Sequence, residues 1–419
     1  MTWLPDDQRV VVTGIGAITP VGLDFPTAWA NVRNGQSGAG RITLFDTTDY
    51  AVKIAGEAWG FDPLNYMPAR DARRADRTTQ FALAAAEEAF QQANLTITPS
   101  NTYDIGVMIG SGAGGISTYI KEYDALKARG PRGVSPLLIP LIVVDSASVQ
   151  ISIRYGARGP NLGMASACST SLDAVGMALE VIRRGDADVM ITGGAEAAVN
   201  VLGITGFDQL RALSHRNDDP PAASRPFDAD RDGFLLSEGS VVLILERLTH
   251  ARARDAEILG EIRAYAATAD AQHFTAPDDT GSGAAESIRR ALKKARLTPA
   301  DLGYINAHAT STPLGDSTEG AALRAALGQH ATRIPISSTK STTGHMLGAA
   351  GALATGLTMQ ALRSGCLPPT INLHTVDPAV ADLNHIAHTA CPTDAQFAIV
   401  NSYGFGGHNS CLVLQRWSE

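Results

Sequence analysis

The stretch Gly163-Met-Ala-Ser-Ala-Cys168-Ser-Thr-Ser-Leu172 decides how the rest of the chain is read. Gly159-Pro160 closes a turn ahead of it, and 161–165 reads as a short buried strand. Beyond it, Leu172, Val175, Leu179 and Ile182 recur at spacings of three and four, so 169–184 is predicted helical, with Gly185 as its stop. Cys168 therefore falls at a strand-to-helix turn, where unpaired N–H groups and the positive end of the helix dipole favour a thiolate. An ordinary thiol ionises near about 8.5, so a modest depression there makes a nucleophile near neutral pH. The small neighbours Ala165, Ser166, Ala167 and Ser169 permit a tight turn and leave room for a substrate. A free cysteine is more often inert packing; the motifs elsewhere in the chain argue otherwise.

The bulk properties bound the possibilities. With 419 residues, 44% hydrophobic and 18% charged, the chain suits a large globular core of two or three domain-sized units. A net charge of −8 opposes a general nucleic-acid surface. Cys168, Cys366, Cys391 and Cys411 form no C-x-x-C pair and no zinc spacing, which implies reduced thiols in a cytoplasmic protein and no metal site. The polar, acidic start is not a signal peptide, and the apolar run 137–144, broken by Pro140, is too short for a membrane span.

Working outward, 9–13 alternates as a strand and leads into Gly14-Ile-Gly16. The third glycine of a dinucleotide loop is missing and Pro20 blocks an immediate helix, so this is not read as a cofactor site. Asp24 is a helix N-cap. An Ala-rich helix is predicted over 73–93; Arg70, Arg73, Arg74 and Arg77, at spacings of three and four, share one face and offer a dock for an acidic partner. The loop Gly110-Ser-Gly-Ala113-Gly-Gly115 lacks the Lys of a P-loop. Asp228-x-Asp230-x-Asp232-Gly233 resembles the start of a calcium loop, but Glu238 stands one place early and a strand follows; it is read as an acidic turn. From Ile258 strands and helices alternate again, which predicts α/β layers around parallel sheets. The second half echoes the first: 339–345, then a helix, then Gly365 answers 165–168, a helix and Gly185. The junction lies near 248–258.

Two further stretches carry chemistry. Asn306-Ala-His308-Ala-Thr310-Ser-Thr312 follows a predicted strand, and Lys340-Ser-Thr-Thr-Gly344-His345 precedes a predicted helix. Strand carboxyl ends in parallel sheets are where ligands bind. A third, Asn401-Ser-Tyr-Gly404-Phe405-Gly406-Gly407-His408, lets backbone N–H groups approach a substrate closely.

Together, Cys168, His308, Lys340, His345 and the Gly404–Gly407 loop resemble the β-ketoacyl-acyl carrier protein synthases, the elongating type II condensing enzymes of the thiolase superfamily, over nearly the whole chain. The resemblance implies a five-layered α/β/α/β/α sandwich of two similar halves, residues 1–256 with the nucleophile and 257–419 with both histidines. It implies that Cys168 takes an acyl group as a thioester and that the N–H groups of Cys168 and Phe405 form an oxyanion hole. His308 and His345 then stabilise the enolate of a decarboxylating malonyl group. Lys340 organises charge, with Asp316 and Glu319 as its partners. Thr310, Thr312, Gly404 and Gly406 meet the substrate, Phe405 gates the site, and Ala113 and Leu138 shape the acyl pocket. Arg70, Arg73, Arg74 and Arg211 meet an acidic acyl carrier protein. That partner brings the phosphopantetheine arm, so no cofactor is implied. The assembly expected is a homodimer, with a heterodimer open.

Three departures from the family pattern stand out: Ala309; Ala354, where an acid is usual; and the smaller residues Ala113, Leu137 and Leu138, which predict a roomier or differently shaped acyl pocket. A type II polyketide or polyene ketosynthase is the second reading. A silent chain-length partner conflicts with the presence of Cys168. A thiolase conflicts with the setting of Cys366, Cys391 and Cys411, which lack the Gly-rich surroundings expected of a thiolase's second cysteine.

Overall fold

The computed structural model describes residues 4–418. Its first strand, β1 (Val10–Ile18), is buried at every residue, so both its faces are covered. The remaining strands of the main sheet are β2 (Ile105–Gly110), β3 (Asn161–Met164), β4 (Val189–Glu196), β5 (Gly239–Arg247), β6 (Gly260–Ala269), β7 (Tyr304–Asn306), β8 (Pro335–Ser337), β9 (Asn384–His385), β10 (Phe397–Gly404) and β11 (His408–Gln415). Their order across the sheet is β9-β8-β7-β10-β11-β6-β1-β5-β4-β2-β3.

The repeat expected from sequence is visible in the pairing. In the first half β3, β2 and β4 run parallel, then β4–β5 and β5–β1 are antiparallel. In the second, β8, β7 and β10 run parallel, then β10–β11 and β11–β6 are antiparallel. Among the described residues, the pairing of Val10–Val12 with Gly260–Ile262 alone joins the two sets of strands. The short helix Leu248–Ala253 occupies the first part of the stretch 248–258.

Helices complete the five layers. Between the two half-sheets lie α5 (Thr170–Arg184) and α8 (Ala350–Ser364), whose Leu172, Val175, Leu179, Leu353 and Leu357 share one core with strand residues of both halves. Full burial of each such side chain contributes about 1.5–3 kcal/mol. Outside the first half lie α2 (Arg77–Ala93) and α4 (Ser146–Tyr155), which follow α1 (Phe25–Arg33) and α3 (Ile116–Arg129) along the chain; outside the second lie α6 (Ser282–Ala295) and α7 (Pro313–Leu327). The Gly14-Ile-Gly16 motif serves this packing: a Cβ at Gly14 or Gly16 would stand 2.2 or 2.0 Å from the carbonyl oxygens of Ala89 and Ala85 in α2.

Several expectations need correction. The strand at 161–164 forms, but at the sheet's outer edge and largely exposed rather than buried. The helix expected from 73 starts at Arg77, because the Asp76 side chain caps it by accepting from Thr78 N–H; Arg70 sits in a separate short helix, Ala69–Ala72. Arg77 therefore leaves the shared face, turns inward and pairs with buried Glu238 at 2.5 Å. Asp228 is buried and accepts N–H bonds from Asp230, His374 and Thr375, so it forms a loop brace rather than an exposed turn. Among the described residues no helix is long and apolar enough to cross a membrane.

Candidate active site

The two halves place equivalent turns face to face. The turn after β3 carries Cys168 in a single 3-10 turn, Ala167–Ser169, that runs into α5. Ala167 takes a left-handed φ of 51° there. Hydrogen bonds hold the turn: Ser166 N–H donates to Thr170 Oγ1 at 2.8 Å, and Thr170 Oγ1 donates to the Ala167 carbonyl at 2.7 Å. The second half braces it as well. Ser169 Oγ donates to the Ser402 carbonyl, and Ser402 Oγ donates to the Cys168 carbonyl, both at 2.9 Å.

The thiol itself runs against the sequence expectation. Protein envelops it, although part of its surface stays open to a cavity. Burial pushes the Cys168 thiol up to about 12; Lys340 and the N–H groups of Phe405 and Cys168 pull it down, while Glu196 adds to the rise. Desolvation thus outweighs the helix terminus, and the resting group is a neutral thiol. The same two N–H groups directed at sulfur are the pair named above as an oxyanion hole.

His308 follows β7, and His345 follows the short helix Lys340–Thr343 after β8. Glu319 of α7 fixes the first loop by accepting from the N–H of His308 at 3.0 Å, of Ala309 at 2.7 Å, and from Asn401 Nδ2 at 3.1 Å. His345 is held by its backbone, whose N–H donates to Leu235 at 2.8 Å and whose carbonyl accepts from Ser237 at 3.0 Å. Phe234 packs edge-on against the His345 ring. Both imidazoles are pushed well below the usual histidine range, by burial first and by Lys340 second. His308 Nδ1 and both ring nitrogens of His345 are buried without a protein partner. Neutral rings with free N–H capacity suit donation to an oxygen that becomes negative only in a transition state.

Lys340 is buried beside them. Burial lowers it to about 8, against the upward pull of Glu319, Cys168 and Asp316. Among the described residues neither acid makes a direct ion pair with it; both act on it through space. Glu319 acts from the His308 loop. Asp316 is committed elsewhere: it accepts N–H bonds from Phe227 and Ser311 and lies 3.5 Å from Arg231 Nε. Burial pushes Asp316 up to about 7.

Beside these groups lies a cavity of about 380 Å³, which neither Lys340 nor Asp316 lines. Its wall includes Cys168, His308, His345, Thr310, Thr312, Gly404, Phe405 and Arg211. Thr310 and Thr312 bond each other through their hydroxyls at 3.1 Å. Ala113, Leu138 and Gly406 lie outside that wall. Arg70, Arg73, Arg74 and Arg211 are exposed. At Ala354, buried in α8, no carboxylate stands; Asn306 donates to the Ala354 carbonyl and to Thr358, while the side-chain oxygens of Asn306 and Asn401 stay unpartnered.

Comparison with known proteins agrees with this geometry. Residues 7–251 match the model of the β-ketoacyl synthase N-terminal domain, and 259–374 that of its C-terminal domain. The chain belongs to the β-ketoacyl synthase family. This β-ketoacyl synthase is 44% identical over 412 residues to 3-oxoacyl-[acyl-carrier-protein] synthase 2 of Synechocystis, covering 98% of this chain and 99% of the relative. It is 42% identical over 413 residues to the protein of that name from Vibrio harveyi, covering 98% and 99%. A β-ketoacyl synthase from Burkholderia phymatum superposes with a TM-score of 0.91 at 34% identity, covering 98% and 100%. A type II polyketide acyl carrier protein in complex with its ketosynthase, bound to a hexaketide, provides a neighbour with TM-score 0.89, 34% identity and coverage of 98% and 99%.

Sequence reading passed over Glu196 at this synthase's site. It is fully buried, and its carboxylate accepts from Ser111 Oγ and from the N–H groups of Gly112, Ala113 and Gly348 at 2.8–3.1 Å. It therefore ties the loop after β2 to the loop after His345. The available signal was an acid closing the apolar strand Val189–Glu196.

Proposed function

We propose that the protein is a 3-oxoacyl-[acyl-carrier-protein] synthase that elongates a fatty acyl chain by decarboxylative condensation. The observation that carries this reading is the convergence of Cys168, His308 and His345 on one cavity, with Lys340 buried behind them, in a β-ketoacyl synthase fold.

The Cys168 sulfur attacks the acyl thioester of a carrier protein. A new C–S bond forms, the phosphopantetheine thiol leaves, and it takes up the proton that the cysteine gives up. Malonyl thioester then fills the emptied cavity, where Thr310 and Thr312 receive the pantetheine arm. Its terminal C–C bond breaks, CO2 leaves, and the electron pair becomes an enolate whose oxygen accepts N–H bonds from His308 and His345. The enolate carbon attacks the Cys168 thioester. The N–H groups of Cys168 and Phe405 stabilise the tetrahedral oxyanion, which collapses to the 3-oxoacyl product and releases Cys168 sulfur. Lys340 holds positive charge near the departing carboxylate. The arm belongs to the carrier protein, which docks on Arg70, Arg73, Arg74 and Arg211.

A second copy completes the assembly by pairing along the edge of β3. That edge is open, and Leu162 and Ile153 beside it are 53% and 76% exposed. An exposed strand edge is self-complementary about a two-fold axis and is a liability if left uncovered. Leu162→Lys should convert a dimer into monomers in sedimentation; a wild-type protein that sediments as a monomer would refute this arrangement.

A type II polyketide or polyene ketosynthase is the second reading. The solved ishigamide ketosynthase/chain length factor favours it, with a TM-score of 0.89 at 33% identity over 98% of this chain and 99% of that one. Mass spectrometry of the acyl group trapped on Cys168 in the native host separates the two: a saturated chain supports the first, a polyketide or polyene chain the second. Failure of the wild type to take up any acyl group, with Cys168→Ala as the blank, would reject both.

A further inference from the structure

Asp173 sits in the first turn of α5, five residues after the nucleophile, and is almost completely buried. Three hydroxyls donate to its carboxylate. Ser166 Oγ takes Oδ2, while Tyr265 OH, at 2.7 Å, and Ser410 Oγ share Oδ1. Ser166 stands two residues before Cys168. Tyr265 and Ser410 belong to β6 and β11 of the other half. The Ser166 bond is thus the only one of the three that reaches the nucleophile turn.

That turn has reason to need a restraint. Ala167, the residue between Ser166 and Cys168, holds a left-handed φ of 51°. A residue with a Cβ leaves such a conformation unless its surroundings over-determine it. Relaxation of Ala167 would swing the Cys168 N–H and sulfur together, since both follow it directly.

We propose that Asp173 is a positioning residue for the nucleophile: through Ser166 it locks the Ala167 conformation that aims the Cys168 sulfur and N–H into the cavity. The Tyr265 and Ser410 bonds tie the other carboxylate oxygen to β6 and β11 of the second half and leave Oδ2 to Ser166 alone. The idea rests on the proposed acyl transfer but does not stand or fall with it alone.

The test measures acylation of Cys168 by an acyl pantetheine thioester, malonyl thioester decarboxylation, and the thermal midpoint. Asp173→Asn and Ser166→Ala should each slow acylation about tenfold through kcat, with KM and decarboxylation within twofold of wild type. Tyr265→Phe and Ser410→Ala should leave acylation within twofold, because Oδ2 keeps its Ser166 bond. The Asp173→Asn/Ser166→Ala double variant should be no slower than the slower single. Wild-type acylation by Ser166→Ala, or losses in all four variants that track only the thermal midpoint, would overturn the proposal. Should the parent accept no acyl group, the functional reading fails instead. Iodoacetamide alkylation of Cys168 then supplies the readout: the same ranking of variants supports the positioning role, and equal rates refute it.

Discussion

His308 and His345 meet edge to face, with ring centroids 5.5 Å apart and planes at 85°. Two donors can therefore converge on one oxygen from different directions. Removing one such donor typically costs about 10²–10³ in rate. His308→Ala and His345→Ala should each lower malonyl decarboxylation by about that factor. Acyl transfer to Cys168, followed by intact mass, should persist. Equal loss of both half-reactions would assign the rings to the transfer step as well.

The pH dependence should follow Lys340 rather than the histidines. Both imidazoles remain neutral through the ordinary histidine range, so no limb near pH 6.5 is expected. Lys340, lowered by burial to about 8, is charged below that pH and neutral above it. Decarboxylation should therefore decline as pH rises through about 8, and Lys340→Ala should be slow with that limb missing. A limb that survives in Lys340→Ala would belong to another group.

Cys168 offers a direct check on its resting state. With the thiol pushed up to about 12, the thiolate fraction rises tenfold per pH unit while Lys340 keeps its charge, below about 8. Iodoacetamide alkylation should climb without a plateau from pH 7 to 8, less steeply once Lys340 gives up its proton, and more slowly in Lys340→Ala, which lacks the neighbouring charge. A plateau below pH 8 would mean that the helix terminus and the two N–H groups overcome desolvation after all.

How much of this was open to sequence reading follows from the range of the forces involved. The helix after Cys168 was legible because Leu172, Val175, Leu179 and Ile182 face one core at helical spacing. The two-half architecture was legible because each half repeats a nucleophile-like turn, a helix and a terminating glycine. Long-range electrostatics were not. The fate of the Cys168 thiol depends on protein folded over it from the other half. The partner of Asp316 turned out to be Arg231, some eighty-five positions earlier in the chain. The exposure of β3 depends on its edge position, which no local pattern encodes.

A stability prediction rests on Glu246, whose side chain is fully buried in β5 between Arg254, His250 and Thr13. Burial alone would raise its carboxyl, but the hydrogen bonds and charge of those partners win and hold it at about 2. A depressed carboxyl binds fewer protons folded than unfolded, so its contribution is complete above about 4.5 and disappears as pH falls through 2. Glu246→Ala should cost about 3 kcal/mol in urea unfolding at pH 7. The deficit against wild type should shrink as pH falls from 4.5 towards 2; a deficit that is constant over that range would point to lost packing instead.

The four arginines around 70–77 separate into two kinds, and mutation should resolve them. Arg70, Arg73 and Arg74 are exposed, with nothing fixing their charge to an acid of this chain among the described ion pairs. Arg77 instead gives two hydrogen bonds to buried Glu238 and stacks its guanidinium 4.6 Å from the Phe81 ring centre. Reversing Arg73 and Arg74 to Glu should raise KM for a carrier-bound acyl substrate about tenfold or more. It should leave the free pantetheine thioester untouched, and weaken the dependence of KM on salt. Arg77→Ala should do the opposite. It strands a buried carboxylate, so the protein should lose several kcal/mol of stability while KM for the carrier-bound substrate stays near wild type at temperatures where the variant is folded. If Arg77→Ala raised that KM as strongly as the double reversal, the inward ion pair would have to open on docking. If the double reversal affected both substrates alike, these side chains would be acting on the cavity and not on a partner.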